Sequence, residues 1–146
     1  MKPLDGIRVL DFTWVLSGPF ATRLLADYGA EVIKIQSLVT SKTPQANNDP
    51  YTCTWNRNKR SITLDMGKPE ARELFFELVR ISDVVIDNFS PHVFDDWGID
   101  YGLLSDVNPG IVQAQISAAG HSGDMRDISL FGPGVQAMAG LTALTS

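Results

Sequence analysis

The chain has 146 residues, 44 % hydrophobic and 20 % charged, with net charge −5 and one cysteine, Cys53. That is enough chain for one globular domain with a real core. The acidic balance argues against a nucleic-acid surface, and a lone cysteine excludes an internal disulfide framework and fits a reducing cytoplasm. No apolar run approaches the roughly 20 residues that a bilayer span needs, and the opening does not read as a signal peptide. In chain order, Ile7, Val9, Leu10 and Phe12 predict a buried strand running into the turn Ser17-Gly18-Pro19. An amphipathic helix then ends at Gly29, and a second apolar strand covers residues 32–35. This is a β-α-β unit, whose crossover makes the two strands parallel neighbours. Residues 37–60, rich in Ser, Thr, Asn, Gln and Pro, predict a loop.

A short strand at 62–64 leads to Pro69, a good first-turn residue, and to Ala71, Leu74, Phe75, Leu78 and Val79 at helical spacing. Val84, Val85 and Ile86 predict a strand closed by Asp87-Asn88-Phe89. Short helices at 91–97 and 101–106, a strand at 111–116, a loop at 117–130 and a small-residue helix from about Pro133 complete the reading. Alternation of this kind predicts an α/β, Rossmann-like doubly wound domain, with a mainly parallel sheet and helices on both faces.

In such folds ligands bind at the carboxyl edge of the sheet, which singles out two places. One is the turn Trp14–Pro19, where a helix N-terminus offers free N–H groups to an anion or a thioester oxygen. The plainer alternative is that Ser17 caps the helix and Pro19 starts it. The other is Asp87-Asn88-Phe89, where Asn88 is able to pair with an amide or adenine edge and Phe89 to lie against a purine. Alternatively Asn88 shapes the turn and Phe89 enters the core. Arg57, Lys59 and Arg60 form a cationic knot with no acid inside it, suited to phosphate or to plain solvation. His121, in a glycine-flanked loop, has no obvious orienting carboxylate in the sequence, and His92 reads as a plain helix residue. The strand-ending Asp11 and Asp87 read as structural. One cysteine and two distant histidines give no metal-ligand spacing, so no metal site is expected.

The stretch LDGIRVLDFTWVLSGPFATRLLADYGAEVIKIQ at 4–36 resembles the opening of the class III CoA-transferases, the CaiB/BaiF group that includes formyl-CoA transferase. The resemblance continues through NRNKRSITLD (56–65), SDVVIDNF (82–89), Asn108-Pro109 and QAMAGL (136–141). It implies an N-terminal portion, residues 1–146, of an incomplete large domain, the remainder being absent. It further implies coenzyme A or acyl-CoA as substrate, a small carboxylic acid as acceptor, an interlocked homodimer at full length, and no nucleic acid or membrane partner. Val15 and Leu16 match residues beside the CoA thioester, and Asn88 and Phe89 match a CoA-contacting pair. Asn58 and Lys59 fall in a region near the active-site cleft. The family's nucleophile is an aspartate that forms an acyl-CoA mixed anhydride, dividing one acyl exchange into easier steps. It follows a Gly-Pro-rich loop beyond this sequence, so no catalytic residue is expected within it.

The sequence also departs from the family. Gln36 replaces an acid, Ser90-Pro91-His92 stands where an arginine and a glycine are usual, and Asp96 replaces another arginine. Related α-methylacyl-CoA racemases carry a His-Asp pair where this chain has Phe131-Gly132, which counts against racemase chemistry. A racemase-like enzyme and a degenerate, non-catalytic CoA-transferase-like domain stand as the alternatives.

Overall fold

The computed structural model describes residues 1–37 and 50–145. Its strands are β1 (Arg8–Asp11), β2 (Glu31–Gln36), β3 (Arg60–Thr63), β4 (Val84–Asp87) and β5 (Val112–Gln115). Its helices are α1 (Ser17–Asp27), α2 (Pro50–Asn56), α3 (Pro69–Arg80), α4 (His92–Asp96), α5 (Tyr101–Val107), α6 (Gly132–Met138) and α7 (Leu141–Thr145). The sheet runs β3-β2-β1-β4-β5 with every pairing parallel. Strand order reverses between β1 and β4, which opens a crevice at their carboxyl ends.

The alternation of β side chains feeds two separate cores. Val9, Val32 and Ile86 pack with Ala26 of α1 on one side. Leu10, Phe12, Ile35 and Val85 pack with Phe75 and Val79 of α3, Phe94 of α4 and Leu104 of α5 on the other. The expected doubly wound arrangement is therefore present, with helices covering both faces. Gly29 ends α1 with φ of 109°, a conformation that a side chain would strain.

Two expectations need correction. Within residues 37–60 the described part includes a helix, α2, rather than loop alone; residues 38–49 lie outside the described residues. Thr, Asn, Tyr and Cys are indifferent helix formers, so composition hides α2. Packing makes it: Trp55 meets Phe20 of α1 edge-on at 5.6 Å, and the Arg23 guanidinium lies 4.9 Å from the Trp55 ring centroid. The helix expected near Pro133 is two short ones, because Gly140 takes φ of 76° and breaks the run. Beyond β5 little is buried: Phe131 is 66 % exposed and Leu144 84 %.

Candidate functional site

The turn between β1 and α1 is built from a buried base and an exposed crest. Asp11, Phe12 and Thr13 are buried, while Trp14, Val15 and Leu16 are about half exposed. Val15 has φ of 65°, the left-handed region, which a β-branched residue occupies only under constraint. Gly18 is required here, because any side chain at that position would collide with Thr13. Leu16, not Ser17, is the N-cap of α1, and no side chain caps the first amides. The plainer alternative, a Ser17 cap, is thus not observed: its hydroxyl instead lies 3.5 Å from the Asn88 amide nitrogen.

Asn88 holds the crest from the neighbouring strand. Its side-chain oxygen accepts from the Trp14 N–H at 2.8 Å, and its amide donates to the Trp14 carbonyl at 2.9 Å. Both ends of the amide are occupied by backbone. Beneath the crest, Asp11 accepts from the Thr13 N–H (2.8 Å) and hydroxyl (2.5 Å) on one oxygen. Its other oxygen accepts from the Thr22 hydroxyl (2.7 Å) and the Lys59 ammonium (3.0 Å). Lys59 also donates to Thr22 Oγ1 (2.7 Å), Asn56 Oδ1 (3.0 Å) and the Pro19 carbonyl (3.2 Å). Lys34 donates to the Thr13 carbonyl.

Burial alone would raise the Asp11 carboxyl, but Lys34 and Lys59, helped by the two threonine hydroxyls, hold it below its ordinary value. Burial lowers both lysines, and Asp11 opposes that in each. Asp87 ends β4 equally buried, and there burial prevails and raises its carboxyl. The Phe89 N–H, the Gln115 amide and His121 pull it only partly back. His121, for which the sequence offered no carboxylate, therefore lies within electrostatic reach of Asp87. Its Nε2 is buried without a hydrogen bond among the described residues.

A cleft of about 700 Å³ opens along the carboxyl ends of β1, β2 and β4. Trp14, Val15, Phe89 and Trp97 form apolar walls, with Lys34 and Asp65 among the polar groups. Its size suits an organic ligand. Of the six residues singled out in the sequence, Val15 and Phe89 line this cleft, Phe89 with its edge against Trp97 at 5.8 Å. Leu16 lies on the exposed crest beside it. Asn88 stands behind the crest. Asn58 and Lys59 border a second, more polar crevice of about 400 Å³ that shares Lys34, Gln36, Thr52 and Asn56 with the first. Asn58 donates to Asp27 at 2.7 Å, so it ties the segment before β3 to α1.

The cationic knot also has acids that the local sequence does not reveal. Arg57 pairs with Asp27 at 2.6 Å, Lys59 with Asp11 at 3.0 Å and Arg60 with Glu31 at 3.0 Å. These carboxylates come from β1, α1 and β2, and only the strand order brings them near. Among the described residues no three His, Cys, Asp or Glu side chains gather as a metal site, and no helix is long and apolar enough to cross a membrane.

A parallel sheet of this order, with an open crevice at its switch point, defines a Rossmann-like α/β protein. The chain belongs to CoA-transferase family III, whose model matches residues 4–146. It is 38 % identical to a succinyl-CoA–D-citramalate CoA-transferase of Chloroflexus aurantiacus, over 99 % of this chain and 38 % of that protein. A formyl-CoA:oxalate CoA-transferase of Rhodopseudomonas palustris is 36 % identical, over 99 % of this chain and 35 % of that one. The crystal structure of a CaiB/BaiF family protein from Brucella suis superposes with a TM-score of 0.86 at 35 % identity, covering 95 % of this chain and 39 % of that one. The chain thus spans little more than a third of the length of these relatives.

Proposed function

We propose that this chain forms the CoA-holding part of an acyl-CoA:carboxylate CoA-transferase. The observation that carries the reading is the open cleft at the β1–β4 switch point, with the strained Val15 turn on its rim, in a member of CoA-transferase family III. The carrier moiety lies against Val15, Leu16 and Phe89, with the thioester at the crest, where uncapped amides of α1 face it. The acyl donor is a CoA thioester and the acceptor a small carboxylic acid. A nucleophilic aspartate from outside residues 1–146 attacks the donor thioester, giving an acyl–aspartyl mixed anhydride and CoA thiolate. The thiolate attacks the aspartyl carbonyl, forming an enzyme thioester and releasing the donor's carboxylate, and the acceptor carboxylate then runs the same two steps in reverse. The full-length enzyme is an interlocked homodimer in the cytoplasm and needs no metal.

Phe131 and Gly132 carry no proton-transferring group, which supports acyl transfer over racemisation. A second reading, a degenerate domain that does not turn over substrate, draws support from the knot. Each of Arg57, Lys59 and Arg60 is already paired with a carboxylate. Calorimetric titration with CoA and acetyl-CoA separates the two. Saturable binding below millimolar ligand is expected, and no heat at millimolar CoA would sink the transferase reading.

A further inference from the structure

We infer that Lys59 and Asp11 are positioning residues: their buried ion pair sets the Val15 turn from beneath, and Lys59 acts on the ligand only through that turn. The inference deepens the CoA-binding reading above and rests on it. The pair reaches both feet of the turn. On the strand side, Asp11 takes the Thr13 N–H and hydroxyl. On the helix side, Lys59 takes the Pro19 carbonyl and the Thr22 hydroxyl. Between these feet the backbone is fastened sideways at Trp14 by Asn88, and Val15 follows in its left-handed conformation.

The Lys59 side chain is 1 % exposed, and its three protons have four oxygens within 3.2 Å. It therefore has no proton left over for a phosphate. A buried pair of this kind stabilises a fold little better than apolar residues of the same shape. What it supplies instead is direction: charge-assisted bonds that fix two backbone segments relative to each other. Left without them, a β-branched residue leaves positive φ for the extended region, and the crest moves away from the cleft.

The test titrates CoA and S-acetylpantetheine, which has the thioester arm but no nucleotide phosphates, into the wild type, Lys59→Met and Thr22→Val. Thr22→Val removes only the hydroxyl between the two charges and stands in should Lys59→Met fail to fold. Both variants should lose affinity about tenfold, the worth of one or two modest hydrogen bonds, and by the same factor for both ligands. A loss confined to CoA means that Lys59 touches a phosphate and overturns the inference. A lowered melting temperature with both affinities unchanged reduces the pair to a structural one and overturns it equally. Wild type that binds neither ligand sinks the CoA reading itself, and that is seen before any variant is measured.

Discussion

Asp11 and Asp87 close neighbouring parallel strands at the same edge of the sheet, and neither is more than 1 % exposed. Their chemistry diverges all the same. Asp11 faces two lysines and two threonine hydroxyls, and its carboxyl is held below the ordinary value. Asp87 has one backbone N–H, one glutamine amide and a histidine at a distance, and burial drives its carboxyl up. A strand-ending aspartate is thus a position rather than a role. What it becomes depends on which distant residues the topology delivers to it. At β1 the segment before β3 delivers Lys59, and the result is a charged base under the turn. At β4 no comparable cation arrives, and the result is a carboxyl raised above its ordinary value.

Removing the cation should show the contrast at its largest. Lys59→Met removes the cation hydrogen-bonded to Asp11 and leaves Lys34 and the two threonine hydroxyls to hold the buried carboxylate, and unfolding in urea should report a loss of about 1–3 kcal/mol. A loss below about 1 kcal/mol, the range of exposed pairs, would break the contrast. Asn88→Ala is smaller. It frees the Trp14 N–H and carbonyl at an exposed crest, where water substitutes, so stability should fall by only about 1 kcal/mol. CoA affinity, measured by calorimetry, should fall with it. Asp87→Asn should be smallest and opposite in sign. At neutral pH it should leave stability unchanged or raise it by up to about 1 kcal/mol, since an unfavourable buried charge is lost and Phe89 keeps an acceptor.

Acid unfolding sharpens the same comparison. A carboxyl raised in the folded state stabilises the fold when protonated, and that contribution is lost as pH rises through the raised value. Between the ordinary 3.8 and the raised value of Asp87, lowering the pH should therefore add stability, and Asp87→Asn should abolish that rise. Asp11 has the reverse sign. Its contribution is present above 3.8 and lost as pH falls through its depressed value, so denaturation by acid should steepen below 3.8. Urea midpoints across pH for wild type, Asp87→Asn and Asp11→Asn measure the two slopes.

The fold was largely legible because buried strands announce themselves locally: apolar runs such as Val84-Val85-Ile86 and the helical stripe through Phe75 and Val79 need no distant context. The turn was legible from Ser17-Gly18-Pro19, and its place at the carboxyl edge followed from the β-α-β order. The ion pairs were not. Nothing near Lys59 hints at Asp11, nor near Arg57 at Asp27, since those partners meet only once the sheet orders itself. The same limit applied to His121, whose neighbour Asp87 lies on another element, and to α2, which owes its existence to stacking on α1 rather than to helix propensity. Val15's positive φ was equally invisible, because valine is among the residues least suited to it.

The 48 residues that separate Asp11 from Lys59 carry a kinetic corollary. The first β-α-β unit is able to assemble early from local pairings, yet its own loop gains its Lys59 and Asn88 fastenings only once β3 and β4 have docked on either side of the β1–β2 pair. Maturation of the recognition surface is thereby tied to late, long-range closure. Nascent chains that stop short of residue 59 would expose a correctly wound supersecondary motif with an unfinished mouth.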